Sequence, residues 1–183
     1  MVWTRAMRRF FCILALSCIV WLFPGGIGQA AELDISLFSI SAEGAGESIG
    51  SVRAVDTDQG LEIFPSLVGL PPGEHGFHLH ANPSCDSAKN DQGESVAGLA
   101  AGGHWDPDAT GQHLGPFGSG HRGDLSRLLV DENGDTPTSV VAPRLRTDDL
   151  SDKALVVHAG GDNYSDTPPL GGGGPRIACG VVG

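Results

Sequence analysis

The residues of this chain with the clearest chemistry are its histidines. All seven lie in its later part, at His75, His78, His80, His104, His113, His121 and His158. His78 and His80 are two apart, so on a strand both imidazoles leave the same face. Phe77 and Leu79 then point the other way, into an interior. Imidazole suits copper and zinc, and two rings on one rigid strand are two ligands already in position. Alone, the pair is a weak signal, because surface histidines also fall two apart by chance. His104, His113, His121 and Asp124 form a sharper group, spaced by nine, eight and three residues. Three neutral imidazoles and one carboxylate can fill a closed tetrahedral zinc site of the structural kind. Zinc would also order a glycine-rich stretch that no core can order. His75 is left over, and its place on the approach to the pair suits a hydrogen-bonding buttress. Arg122-Gly123-Asp124 spells an adhesion triplet, which is a coincidence if Asp124 is a ligand.

The elements that must hold these residues come after a leader. Residues 1–30 have the three-part form of a secretory signal: Arg5, Arg8 and Arg9, then an apolar run from Phe10 to Phe23, then Gly28-Gln29-Ala30. The run is too short for a comfortable span, which needs about 20 residues. An uncleaved anchor and a lipid on Cys18 are the alternatives. No stop-transfer pattern succeeds the run, which argues against the anchor. The run also continues five residues past Cys18, which argues against the lipid. Cleavage is expected after Ala30 or Ala31, with one domain over residues 31–183. Eleven basic residues less the three in the leader leave eight against 22 acidic ones, a net charge of −14. That surface excludes nucleic acid and anionic membrane as partners, since both need a basic footprint. Two cysteines remain, Cys85 and Cys179, and an even pair in an exported chain reads as one disulfide.

Helical periodicity is almost absent, and short apolar alternations recur between turn signals. Strands are expected at Leu33–Leu37, Ile49–Val55, Leu61–Leu67, Gly76–Ala81, Leu128–Val130, Ser139–Ala142, Ala154–His158 and Arg176–Val182. Asp56–Gly60 reads as a hairpin turn, and Asn133-Gly134 as a tight turn between its flanking strands. The expected fold is therefore all-β, a barrel or sandwich of about eight strands. Asn82–Leu125 and Ala159–Pro175 are long and nearly strandless. Loops of that length are functional or disordered, and the histidines favour function.

Gly73-Glu74-His75-Gly76-Phe77-His78-Leu79-His80 and Arg176-Ile177-Ala178-Cys179-Gly180-Val181 resemble two signature segments of the copper/zinc superoxide dismutases. Gly103–Pro107, His121–Leu125, Val157-His158 and Gly171–Gly174 resemble further family motifs, in family order. The similarity covers nearly all of residues 31–183 and is strongest to the exported bacterial branch, whose nine-then-eight histidine spacing it shares. It implies an eight-stranded Greek-key β-barrel, a flattened sandwich with two long metal-site loops. It implies one copper on His78, His80, His104 and His158, and one zinc on His104, His113, His121 and Asp124, bridged by His104. Asp162 resembles the carboxylate that links a ligand of each metal, and Arg176 the guanidinium beside the copper channel. Ser126 departs from the family's usual proline and puts in doubt the path of the chain leaving the zinc loop.

The activity implied is disproportionation of superoxide by copper redox cycling, with His104 carrying a proton and Arg176 docking the anion. The runner-up is an exported copper/zinc-binding protein without turnover; a third reading is an adhesive β-domain. The location implied is periplasmic or extracellular, away from the membrane once the signal is gone. Monomer and homodimer are both compatible with strands this short.

Overall fold

The computed structural model describes Met1 and residues 31–183. The leader reading lies outside those residues. Alternation builds the first three strands. In β1 (Glu32–Ser41) Ile35 and Leu37 are buried between exposed neighbours. In β2 (Gly44–Thr57) Val52 and Ala54 face the same interior, and in β3 (Gly60–Leu67) so do Leu61, Ile63 and Leu67. The β2–β3 pairing ends at Thr57 opposite Gly60, which leaves Asp58-Gln59 as the turn. Thr57 Oγ1 donates to the Gly60 carbonyl at 2.8 Å and so closes it.

Seven strands form one antiparallel sheet. The others are β5 (Phe77–His80), β9 (Val140–Ala142), β10 (Lys153–His158) and β11 (Arg176–Val182), in the order β5-β10-β11-β1-β2-β3-β9. Two short strands, β4 (Gly73–His75) and β8 (Leu128–Val130), pair with each other. Together they make the expected flattened Greek-key barrel, and all eight expected strands are present. Gly134 does turn the chain, with φ +86° and its N–H on the Asp131 carbonyl at 3.0 Å. Its flanking strands do not pair across it, because β8 goes to β4 and β9 goes to β3.

The main core fills the barrel, with Phe77 and Leu79 fully buried among Leu37, Leu125, Leu128 and Leu155. Burying each stabilises the fold by about 1.5–3 kcal/mol, which fixes the register of β5 and hence the outward face carrying His78 and His80. That face is buried too, because loops cover it. β10 shows the same double burial: Leu155 and Val157 belong to the barrel core, while Ala154 and Val156 pack outside it with Ile40, Ala101 and Cys179. The long loop was read as nearly strandless. It contains a small hairpin, β6 (Ala88–Lys89) with β7 (Ser95–Val96), and a 3-10 turn at Leu99–Ala101. The Cys85–Cys179 disulfide, with Cα atoms 5.7 Å apart, ties this loop to β11.

Candidate metal centre

Among the described residues no strand covers the edge of β5 away from β10, and the loop carrying His104, His121 and Asp124 laces onto it. Trp105 N–H donates to the Leu79 carbonyl at 2.8 Å, Leu79 N–H to Gly123 at 2.9 Å, and Gly123 N–H to Trp105 at 2.9 Å. Single β-bridges set His78 opposite Asp124 and His80 opposite His104. Gly123 is required here, because a Cβ would run into the Leu79 carbonyl and the Trp105 nitrogen. From the opposite side β10 delivers His158. The histidines spread over more than 80 residues are therefore collected by one strand, its neighbour and a loop stitched to its edge.

Two groups result, each with its ligand atoms within 4.8 Å of one another: His78, His80, His104 and His158, and then His104, His113, His121 and Asp124. These are the two sets expected, and His104 belongs to both. All seven side chains are buried. One nitrogen of most rings is already engaged. His78 Nε2 and His113 Nε2 lie 2.7 and 2.8 Å from the two oxygens of Asp162, so that carboxylate joins the groups as the resemblance implied. His80 Nδ1 faces the Gly102 carbonyl at 2.9 Å, and His158 Nδ1 the Gly174 carbonyl at 3.0 Å.

The free nitrogens converge. His78 Nδ1, His104 Nε2, His113 Nδ1 and His121 Nδ1 are buried with no hydrogen-bond partner. The latter two lie 2.9 and 3.3 Å from Asp124 Oδ1 but are not aligned to bond with it. A buried polar atom left unpaired costs about 1–3 kcal/mol. Four in one cluster, three of them on rings whose other nitrogen a carboxylate holds, fit a pair of cations and little else.

Charge supports the fit. Burial, reinforced by the neighbouring His104, pushes His78 down to about 3, and burial pushes His158 down to about 4. His80 is lowered by the same causes, with Arg176 adding to them. These rings are neutral at physiological pH, the form in which imidazole ligates. His113 differs: burial opposes its charge, but Asp124 and Asp162 outweigh burial and raise it to about 9. Burial would raise Asp124, yet the hydrogen bond with His104 and the adjacent His113 hold its carboxyl well below the usual range. A permanent carboxylate beside three imidazoles is a donor set that suits zinc, and His113 would give up its proton to join it.

The remaining expected residues are close by. His75 is buried, with Nδ1 2.7 Å from the His158 carbonyl oxygen and Nε2 2.8 Å from that of Pro71, which is a buttress position. Arg176 is half-buried and donates to the carbonyls of Gly98 and Gly102. Gly102 thus holds both Arg176 and His80. Asp124 is buried and Arg122 pairs with Asp108 at 2.8 Å, so the adhesion triplet is not displayed. Ser126 ties this stretch to β9, its hydroxyl donating to the Val141 carbonyl at 2.9 Å.

Some contributors were not foreseen. Asp166 accepts the His113 N–H at 3.0 Å, and the Tyr164 hydroxyl accepts the Arg127 N–H at 3.0 Å. Gly171, at φ +73°, sits where a Cβ would meet Asp162 Oδ1 and His113 Nε2. The four-glycine run was the available signal for that crowding. Arg144, with no signal in the sequence, lies against the loop that carries His113 and His121.

A family model described as copper/zinc superoxide dismutase (SODC) matches residues 48–182. The chain is 54% identical over 178 residues to the Cu-Zn superoxide dismutase of Escherichia coli (strain O157:H7), covering 96% of this chain and 99% of that one. It is 43% identical over 178 residues to that of Brucella abortus biovar 1, with the same coverage. The solved Cu/Zn superoxide dismutase from Brucella abortus superposes with a TM-score of 0.81 at 45% identity, covering 84% of this chain and all of that one. The monomeric copper, zinc superoxide dismutase from Salmonella enterica gives a TM-score of 0.75 at 53% identity, with the same coverage.

Proposed function

The chain belongs to the copper/zinc superoxide dismutase family, and from that premise we propose that His78, His80, His104 and His158 hold its copper while His104, His113, His121 and Asp124 hold its zinc. The reaction is disproportionation: two superoxide anions and two protons give dioxygen and hydrogen peroxide. The observation that supports the residue assignment is the set of four buried, unpartnered ring nitrogens, three of them on rings that Asp162 or Asp124 already orients.

Bound copper supplies a one-electron oxidant and then a one-electron reductant, and bound zinc fixed positive charge. The chain does the rest. Arg176 offers the incoming anion a guanidinium that Gly98 and Gly102 hold in place, so its orientation costs nothing at the moment of docking. Asp124 holds His104 at Nδ1, 2.9 Å away, which leaves Nε2 as the atom that holds a proton and delivers it to the reduced anion. Asp162 fixes His78 and His113 together, so the two halves of the site move as one.

Metal content and superoxide consumption, read on one purified sample, test this assignment. One copper and one zinc per chain with rapid consumption are expected. Full metal without turnover would favour the non-catalytic binder. Arg176→Ser in the same assay isolates the docking charge. The surface is net negative, but at physiological salt the Debye length is about 8 Å, so distant carboxylates are screened more than a charge beside the site. The wild-type rate should therefore fall as salt rises, and Arg176→Ser should lower it roughly 10-fold and flatten that dependence with both metals retained. A wild-type rate that climbs steadily with salt would show that global repulsion wins. Arg122 adds nothing to the attraction, being paired with Asp108.

We also propose that residues 1–30 direct export to the periplasm or beyond and are then removed. The relatives are bacterial, and no helix among the described residues is long and apolar enough to cross a membrane. N-terminal sequencing should find Ala31 or Glu32; Met1, or a lipid on Cys18, would refute removal. Both ligand sets come from one chain, so turnover needs no second copy.

A further inference from the structure

The loop that carries His113 and His121 has little packing of its own. Leu114 and Phe117 are exposed, Phe117 at 75%, and among its apolar side chains Pro116 alone is buried. Into it projects Arg144, from the turn after β9. Its Nη1 donates to the Gly120 carbonyl at 2.8 Å, Nε to Pro116 at 3.3 Å, and Nη2 to Gly115 at 3.5 Å and to His121. No carboxylate among the described residues pairs with it within 4.0 Å. A half-buried cation is thus solvated by four carbonyls of one loop. Those carbonyls point at one spot and would repel one another without it.

We propose that Arg144 is a positioning residue for the zinc half of the site: a cation built into the barrel that shapes the loop around itself and so pre-sets His113, His121 and Asp124. The connections are direct. The His121 carbonyl is one of the four, and His121 N–H closes the loop on the Gln112 carbonyl at 2.8 Å. Leu114 and Gly115 N–H groups hold Asp124 Oδ2 at 3.1 and 3.3 Å. Gly115 therefore carries the ligand carboxylate on its N–H and the guanidinium on its carbonyl. A planar fork of five donors can serve four divergent acceptors; a lysine ammonium, a point charge with three donors, cannot do so in the same plane. This inference rests on the ligand assignment above.

Two effects oppose each other when Arg144 is replaced. Removing a positive charge near a cation site favours metal; releasing the loop disfavours it. Loss of an outer partner typically costs about 10–100-fold in metal affinity, and the guanidinium's charge is already shielded by the carbonyls it binds. Arg144→Met should therefore bind zinc about 10–100-fold more weakly than wild type in chelator competition on the metal-free protein. Cobalt(II) placed in the zinc site should show an altered visible spectrum. Arg144→Lys keeps the charge and loses the fork, so it should fall between the two. Amide hydrogen exchange in its metal-free form should quicken over residues 114–121 and stay unchanged in β1–β3. If Arg144→Met does not fold, Arg144→Lys decides, because charge alone predicts no change in it. Unchanged or tighter zinc binding with an unaltered cobalt spectrum, in either variant, would overturn the proposal. Wild-type protein that takes up no zinc would instead overturn the ligand assignment.

Discussion

His104→Ala is expected to abolish superoxide turnover and to loosen both metals by taking a ligand from each set at once, which no other single histidine substitution does. His104 alone belongs to both groups, with Nδ1 beside Asp124 and Nε2 free on the other side. Its removal subtracts a ligand from each set and deletes the atom proposed to carry the proton. The fall in rate should exceed the roughly 100-fold that loss of an outer partner can cost. Two controls separate the halves. His113→Ala takes a ligand from the zinc set and leaves Asp162 holding only His78, so zinc should be lost and copper loosened. His158→Ala should abolish activity yet largely spare zinc, because its anchored nitrogen goes to Gly174 and not to either site carboxylate. Metal per chain by mass spectrometry, beside the superoxide assay, reads all three. His104→Ala with full activity and both metals would show that the bridged arrangement is wrong.

The barrel was legible because its signals are local. Alternation in β1 to β3, the Phe77–His80 pattern and the apolar runs of β10 and β11 each state which face is buried. The histidine sets were legible because ligands must be of particular residue types, and their order matches a family order. What stayed hidden depends on contacts between distant parts. Asn133-Gly134 announces a turn but not which strands will pair beside it, and tertiary pairing sent β8 and β9 to different partners. The β6–β7 hairpin is two residues a side, held partly by the Asn90 side chain accepting from Gln92 and Glu94, too short for any period to show. Arg144 gives no sign at all. An arginine between proline and leucine looks like a surface residue until the loop that needs it is in place.

Breaking the Cys85–Cys179 disulfide should have the largest effect on stability, and it should also reach the active site. The bond joins residues 94 apart. In the chain-entropy model a closed loop of that size is worth about 4–5 kcal/mol, mostly by restricting the unfolded chain. For a chain of this length each kcal/mol moves the midpoint by about 2–4 °C, so the double variant Cys85→Ser/Cys179→Ala should melt roughly 10–20 °C lower. Alanine is chosen at 179 because that side chain is fully buried between β10 and the loop, where a hydroxyl would need a new partner. The functional effect comes from the other groups that the same loop holds. Cys85 is anchored below the turn at Leu99–Ala101, and the glycines on either side of that turn, Gly98 and Gly102, hold Arg176 by their carbonyls. Gly102 also orients His80. A loop cut free from β11 should let Arg176 wander, so the variant's rate should drop and lose part of its salt dependence even well below its midpoint. Apolar packing of Ala101 against Val156 opposes that release, but it is one small contact against a covalent tie. A midpoint shift under about 3 °C, with rate and salt dependence unchanged, would mean that packing alone seats the loop.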